Sequence, residues 1–170
     1  IDDILELSRI SRQELRRVRV DLSQIAAELI DELVRAEPGH RCDFVHAQGC
    51  VATGDPQLLR IVLQNLLENA WKYSAKVAFP RIEFGSEMGR CETTYFVRDN
   101  GVGFDMKYAD RLFAPFQRLH RPEEFEGTGI GLATVARVVH RHGGRIWAES
   151  APGKGATFHF TLGQASGKSP

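Results

Sequence analysis

Between positions 55 and 74 the chain reads DPQLLRIVLQNLLENAWKYS, with apolar residues at Leu59, Val62, Leu63, Leu66, Leu67 and Ala70. At 100° per residue these fall on one broad face, so the spacing predicts a core helix. Asp55 followed by Pro56 supplies a capping carboxylate and a proline at the first helical position. Asn65, Asn69 and Lys72 line up along a second, narrower stripe of the same helix. A solvated polar stripe is the plain explanation of that alignment. Two carboxamides and an amine are also a set suited to a hydrated metal ion and phosphate oxygens, and the rest of the chain decides between the two.

The pattern before it predicts two helices and a hairpin. Over 1–20, Ile1, Ile4, Leu5, Ser8, Leu15 and Val18 recur at three- and four-residue spacings with arginines opposite, an amphipathic helix. Its apolar positions are in phase from the first residue, which suggests a segment cut from a longer protein. The run RRVR reads as a solvated helix end. Asp21 or Ser23 can cap a second helix to about residue 35, with Ile25, Leu29 and Leu33 inward, ended by Pro38-Gly39. RCDFVHA and CVATG, separated by Gln48-Gly49, alternate as a hairpin would.

After the core helix, RIEFGSE and ETTYFVRD predict two strands turned at Met88-Gly89. Residues 128–142 read as a helix closed by Gly143-Gly144, with His140 and His142 in its last turn, where imidazoles suit the negative helix end better than a ligand role. RIWAES and ATFHFTL form a last strand pair around PGKG, and 164–170 is a small polar tail. The sum is an α/β (α+β) two-layer sandwich. A mixed, mostly antiparallel sheet of about five strands packs on three helices, with an N-terminal helical remnant.

Composition narrows the function classes. At 170 residues, 42% hydrophobic and 26% charged, the chain suits one globular domain with a substantial core. A formal net charge of zero gives no bulk electrostatic case for nucleic acid or an anionic membrane surface. No apolar run reaches the length of a membrane span. Cys42, Cys50 and Cys91 form no CxxC pair, which argues against a disulfide framework or zinc site and fits a reducing cytoplasm with single buried thiols.

Two glycine clusters supply the chemistry. In Asp99-Asn100-Gly101-Val102-Gly103 a strand delivers a carboxylate just before two glycines, spaced so that backbone can approach a flat ligand. Such a carboxylate can accept from an exocyclic amine such as that of adenine, although Asn-Gly is also an ordinary turn. Gly127-Thr128-Gly129-Ile130-Gly131-Leu132 stands at the mouth of a helix, where free N–H groups and the macrodipole favour phosphates. No Gly-Lys-Ser/Thr follows, as a P-loop requires, and no strand precedes, as a dinucleotide fingerprint requires. Between the clusters, 105–126 holds at most one short helix (108–113), the length of a lid or binding loop. It carries Phe113-Ala114-Pro115-Phe116, aromatics that could fasten a lid, and then Arg118, His120 and Arg121.

Four boxes in this order resemble the ATP-binding catalytic domain of bacterial sensor histidine kinases, within the family that includes gyrase B, MutL and the heat-shock-90 chaperones. NLLENAWKYS is similar to the asparagine box, DNGVGF to the first glycine box, FAPF to the phenylalanine box and GTGIGLA to the second glycine box. The likeness covers roughly 21–162. ILELSRISR more faintly resembles the end of the dimerisation helix that precedes this domain, which implies a division into a helical remnant (1–20), a catalytic domain (21–163) and a disordered tail (164–170).

The resemblance implies ATP and Mg2+ as cofactors. Asn69 would coordinate magnesium, assisted by Asn65. Lys72 and Tyr73 would face the phosphates and nucleotide, and Asp99 would bind the adenine amine over a floor shaped by Gly101 and Gly103. Gly127, Thr128, Gly129, Gly131 and Leu132 would supply hinge and phosphate contacts. Arg118 matches a lid cation reaching the γ-phosphate, and Thr157 a hydroxyl on the strand under adenine. Implied partners are a dimerisation and phosphoacceptor domain of the parent homodimer and a response regulator receiver domain. Nucleic acid and direct membrane contact are not implied.

One position separates the branches of the family. Its ATP-hydrolysing members carry a water-activating glutamate four residues before the metal-binding asparagine; here Asn65 stands there, and Glu68 is at the wrong helical phase. A carboxamide cannot act as a general base, so hydrolysis should be slow and the γ-phosphate held for an outside nucleophile. No histidine followed by an acidic residue lies in the N-terminal helix, so the phosphoacceptor box is missing. An ATPase clamp of the gyrase B or MutL type, a binding module with a vestigial site and a serine-directed anti-sigma kinase are the alternatives.

Overall fold

The computed structural model describes residues 2–114 and 131–163. In chain order the elements are α1 (Asp2–Arg12), β1 (Val18–Asp21), α2 (Leu22–Ala36), β2 (Asp43–His46), β3 (Val51–Gly54), α3 (Pro56–Ser74), β4 (Arg81–Met88), β5 (Thr93–Asp99), a 3-10 turn (Met106–Arg111), α4 (Gly131–Arg141), β6 (Ile146–Ser150) and β7 (Ala156–Phe160). The main sheet runs β2-β4-β5-β7-β6, and β1-β3 form a separate two-stranded sheet. Among the described residues only the β2–β4 pair is parallel. This is the expected mixed two-layer sandwich.

Strand alternation divides the main sheet into two faces. One face carries Ile82, Phe84, Tyr95, Val97, Phe158 and Phe160, all buried with Leu59, Val62, Leu63, Leu66 and Leu67 of α3 and Val135, Val138 and Val139 of α4. Leu63 and Leu67 are completely buried, so truncating either to alanine should cost about 2–5 kcal/mol. The predicted cap of α3 is present: the Asp55 carboxylate accepts from the N–H groups of Gln57 (3.0 Å) and Leu58 (3.3 Å).

Two expectations are corrected. The N-terminal helix stops at Arg12, where the Arg141 guanidinium donates to the carbonyls of Ile10 (2.7 Å) and Gln13. Val18–Asp21 then pairs antiparallel with β3 as a strand that the helical spacing concealed. RCDFVHA and CVATG are not a hairpin either. β2 joins the edge of the main sheet beside β4, whereas β3 pairs with β1. The Ser23 hydroxyl donates to Ala47 O (2.6 Å) and accepts from Cys50 N (3.0 Å), holding the link between them at the start of α2 while the strands diverge. Asp21, not Ser23, caps α2, accepting from Gln24 N at 3.0 Å.

Candidate functional site

α3 is the spine of the site because both glycine clusters reach it. Near its middle, Asn65 is half-buried and its Nδ2 donates to Ile61 O at 2.9 Å. The Asn65 Oδ1 faces Gly131, the first residue of α4, so closely that a Cβ at Gly131 would lie 2.8 Å from it. Near the other end of α3, Val102 N donates to Tyr73 O (3.1 Å), and a Cβ on Gly101 would stand 2.1 Å from that carbonyl. Only a residue without a side chain permits this approach. Tyr73 lies eight positions beyond Asn65, about 12 Å along the helix, a span on the scale of a nucleoside triphosphate. Asn69 lies between them, half-buried, and the Lys72 Nζ sits 4.9 Å from the Tyr73 ring centroid, a cation–π distance.

Asp99 ends β5 on the inner face, 7% exposed, and accepts from Gly101 N at 2.8 Å. Burial pushes its carboxyl up to about 6, against the pull of the Gly101 and Ala156 N–H groups that favour the charged form. A carboxylate kept dry at the mouth of a glycine loop is an acceptor in wait of a donor. Gly103 follows with φ 65°, and Phe104 and Phe113 both pack on Phe158 of β7 at 6.3 Å between ring centroids. Half of the phenylalanine box is thereby anchored on the core; its Pro115 and Phe116 lie outside the described residues.

Among the predicted site residues, Asn65, Asn69, Lys72, Tyr73, Asp99, Gly101, Gly103 and Gly131 are thus gathered along α3 and the adjoining ends of β5 and α4. Leu132 is half-buried, packed against the core. Arg118, Gly127, Thr128 and Gly129 lie outside the described residues. Thr157 goes elsewhere. It pairs in register with Arg98, whose Nε donates to its hydroxyl at 3.2 Å, on the outer face of the sheet. The residue in register with Asp99 on the inner face is Ala156, so the expectation for Thr157 is not met.

Among the described residues no three histidine, cysteine, aspartate or glutamate side chains cluster as a metal site. A cation held here would therefore rest on carboxamide oxygens and on phosphates brought with it. That donor set fits hard, partly hydrated magnesium. Glu68 is exposed and accepts from Gln64 Nε2 at 3.2 Å, turned away from the glycine-lined side of α3. Two residues matter more than their sequence positions advertise. Ser150, just before the Pro152-Gly153 turn, binds the first glycine loop. His142, beyond the end of α4, is fully buried against the α3 cap. For Ser150 the available signal was a hydroxyl closing an alternating strand ahead of a glycine turn.

Comparison with known proteins agrees with this geometry. Residues 54–166 match the family described as histidine kinase-, DNA gyrase B-, and HSP90-like ATPase. The chain is 37% identical over 163 residues to Cyanobacterial phytochrome A of Nostoc sp. (strain PCC 7120 / SAG 25.82 / UTEX 2576), covering 95% of this chain and 21% of that protein. It is 36% identical over 174 residues to the adaptive-response sensory kinase SasA of Synechococcus sp. (strain JA-2-3B'a(2-13)), covering 95% and 44%. The chain thus spans less than half the length of these curated relatives. In fold it is similar to the mycobacterial sensor histidine kinase MprB, with TM-score 0.71 at 22% identity over 86% of this chain and 96% of that one. It is also similar to full-length ShkA in complex with AMPPNP, with TM-score 0.77 at 21% identity over 97% and 36%. The chain belongs to the histidine kinase-, DNA gyrase B-, and HSP90-like ATPase family.

Proposed function

We propose that this domain holds Mg-ATP for transfer of the γ-phosphoryl group to a histidine on a dimerisation helix of the parent kinase, the first step of a two-component relay. The observation that carries the reading is the grip of α3 on both glycine clusters, at Tyr73 and at Asn65, with the buried Asp99 carboxylate at one end. Asp99 accepts from the adenine amine over Gly101 and Gly103. Asn69, helped by Asn65, offers carboxamide oxygen to magnesium, which would offset phosphate charge. Lys72, Tyr73, Gly127, Thr128, Gly129, Gly131 and Leu132 surround the phosphates, and Arg118 neutralises the γ-phosphate. In the transfer the bond between the γ-phosphorus and the β,γ-bridging oxygen breaks, a bond to an imidazole nitrogen forms, and ADP departs.

Asn65 supports a kinase over an ATPase clamp. Its amide is occupied on Ile61 O, and a carboxamide takes no proton from water. The nearest carboxylate on the helix, Glu68, is turned to solvent. Within this reading α1 corresponds to the end of the dimerisation helix. The catalytic unit then includes β1, which pairs with β3, and ends at about residue 163. The partners are the parent's phosphoacceptor domain in a homodimer and a receiver domain. No helix among the described residues is long and apolar enough to cross a membrane, and we assign the domain to the cytoplasmic side of its parent.

The test is radiolabel transfer from γ-labelled ATP to a separately supplied dimerisation segment carrying the acceptor histidine, beside a calorimetric titration of ATP with magnesium. Label on the acceptor and negligible phosphate release support the kinase. Steady phosphate release without acceptor revives the clamp, and absence of ATP binding ends both.

A further inference from the structure

Asp99, Ala156 and Ser150 form one cross-strand row on the inner face of the sheet, in register across β5, β7 and β6. Ser150 is the half-buried far end of that row, and its hydroxyl makes two short hydrogen bonds. It donates to Gly155 O at 2.6 Å and accepts from Phe104 N at 2.8 Å. Phe104 is the last residue of the first glycine box. Gly155 precedes Ala156, and a Cβ on it would stand 2.0 Å from Asp99 O. The contacts therefore close a ring: Asp99 to Gly101 through the carboxylate, along the loop to Phe104, across to Ser150, on to Gly155, and back to the Asp99 backbone.

The β6–β7 turn holds the same loop beside Ser150. Gly103 adopts φ 65°, and a Cβ there would lie 2.2 Å from Ala151 O and 3.0 Å from the Ser150 Oγ. Gly153 N donates to Val102 O at 2.7 Å, so the β6–β7 turn clasps the loop from below at two points. Removing the hydroxyl leaves the part-buried Phe104 N–H without its acceptor and Gly155 O without this donor.

We propose that Ser150 is a positioning residue for nucleotide binding, setting the first glycine loop so that Gly101 N–H stays on Asp99 and the carboxylate meets the base at a fixed height. This rests on the reading of Asp99 as the base-binding residue. Ser150 touches no nucleotide itself; it acts through Phe104 and Gly155.

The experiment titrates ADP and ATP calorimetrically with magnesium between pH 5 and 8, using the full chain and its S150A and S150C variants. S150A should bind about 5- to 10-fold more weakly at pH 7.5, the loss expected for one hydrogen bond to a part-buried amide. Without the Gly101 N–H to favour the charged carboxylate, the pH midpoint of binding should move upward. S150C keeps the volume with a weak donor and should fall between, so the idea stays testable if S150A does not fold. Amide exchange at Phe104 should quicken in both. Unchanged affinity and midpoint in folded S150A, or in S150C where S150A does not fold, would overturn the inference and leave the site intact. If the unsubstituted chain binds no nucleotide, the reading of the site fails, and this inference with it.

Discussion

The imidazole of His142, just past the end of α4, accepts the backbone N–H of Asp55, the cap of α3, at 3.1 Å through Nε2. Its Nδ1 meets Val138 O at 2.8 Å, so the ring is the neutral tautomer with the proton on Nδ1. Burial holds its pKa below the ordinary 6.5, and the nearby Arg17 and Arg141 push the same way, against Val138 O and Asp55. A depressed histidine is protonated sooner in the unfolded chain. Its contribution to stability is therefore complete above pH 6.5 and lost as pH falls below that value toward the folded pKa. Thermal unfolding between pH 7.5 and 5 should cost the unsubstituted chain more than H142Q, whose amide oxygen accepts without titrating, because the Asp99 contribution is common to both. Parallel slopes would refute the assignment.

Asp99 has the opposite sign. Its folded pKa of about 6 lies above the ordinary 3.8, so the charged form costs stability, fully relieved below pH 3.8 and imposed as pH rises through about 6. D99N should raise unfolding stability at pH 7.5, by on the order of 1–3 kcal/mol, while reducing adenine-nucleotide affinity at least about 10-fold through loss of one charge-assisted acceptor. Nucleotide affinity of the unsubstituted chain should fall as pH drops through about 6. A variant both less stable and fully able to bind would contradict the role given to Asp99.

Gly101 and Gly131 meet different kinds of neighbour. A Cβ on Gly101 collides with the Tyr73 backbone, which is fixed inside α3. G101A should cost about 2–3 kcal/mol and abolish nucleotide binding. Among the described residues, the nearest neighbour of a Cβ on Gly131 is the Asn65 carboxamide, a side chain that can rotate at the loss of its bond to Ile61 O. G131A should therefore cost less than about 1 kcal/mol and act mainly on phosphate affinity. Denaturant unfolding of the two variants side by side checks the ranking.

Arg141 donates to the carbonyls of Ile10, in the last turn of α1, and of Gln13, just past it, and Ile10 is fully buried. R141A should lower stability by about 1.5–3 kcal/mol, the range for hydrogen bonds from a charged donor. Hydrogen exchange should speed up across α1 and leave β4, β5 and β7 protected. Equal acceleration in the sheet would show that α1 is not a separate unit.

What the sequence made legible was what local chemistry decides. Asp55-Pro56 and the apolar face of α3 sufficed because cap and core lie within one element. DNGVGF was readable because Gly101 serves a turn and a close approach at once. The failures share a cause in distant partners. Val18–Asp21 looked helical because only β3, some thirty residues on, makes it a strand. RCDFVHA and CVATG looked like a hairpin because the Ser23 hydroxyl that holds the link between them lies on another element. Thr157 was placed by motif position. Its face is fixed by the register Arg98 to Thr157, which no single strand reveals.

α4 is 11 residues long, a rod of about 16 Å. Its tail is tied to α1 through Arg141 and to the α3 cap through His142, while its head, Gly131, meets Asn65. One short helix thus fastens the N-terminal helix, the start of α3 and the middle of α3 into a single piece.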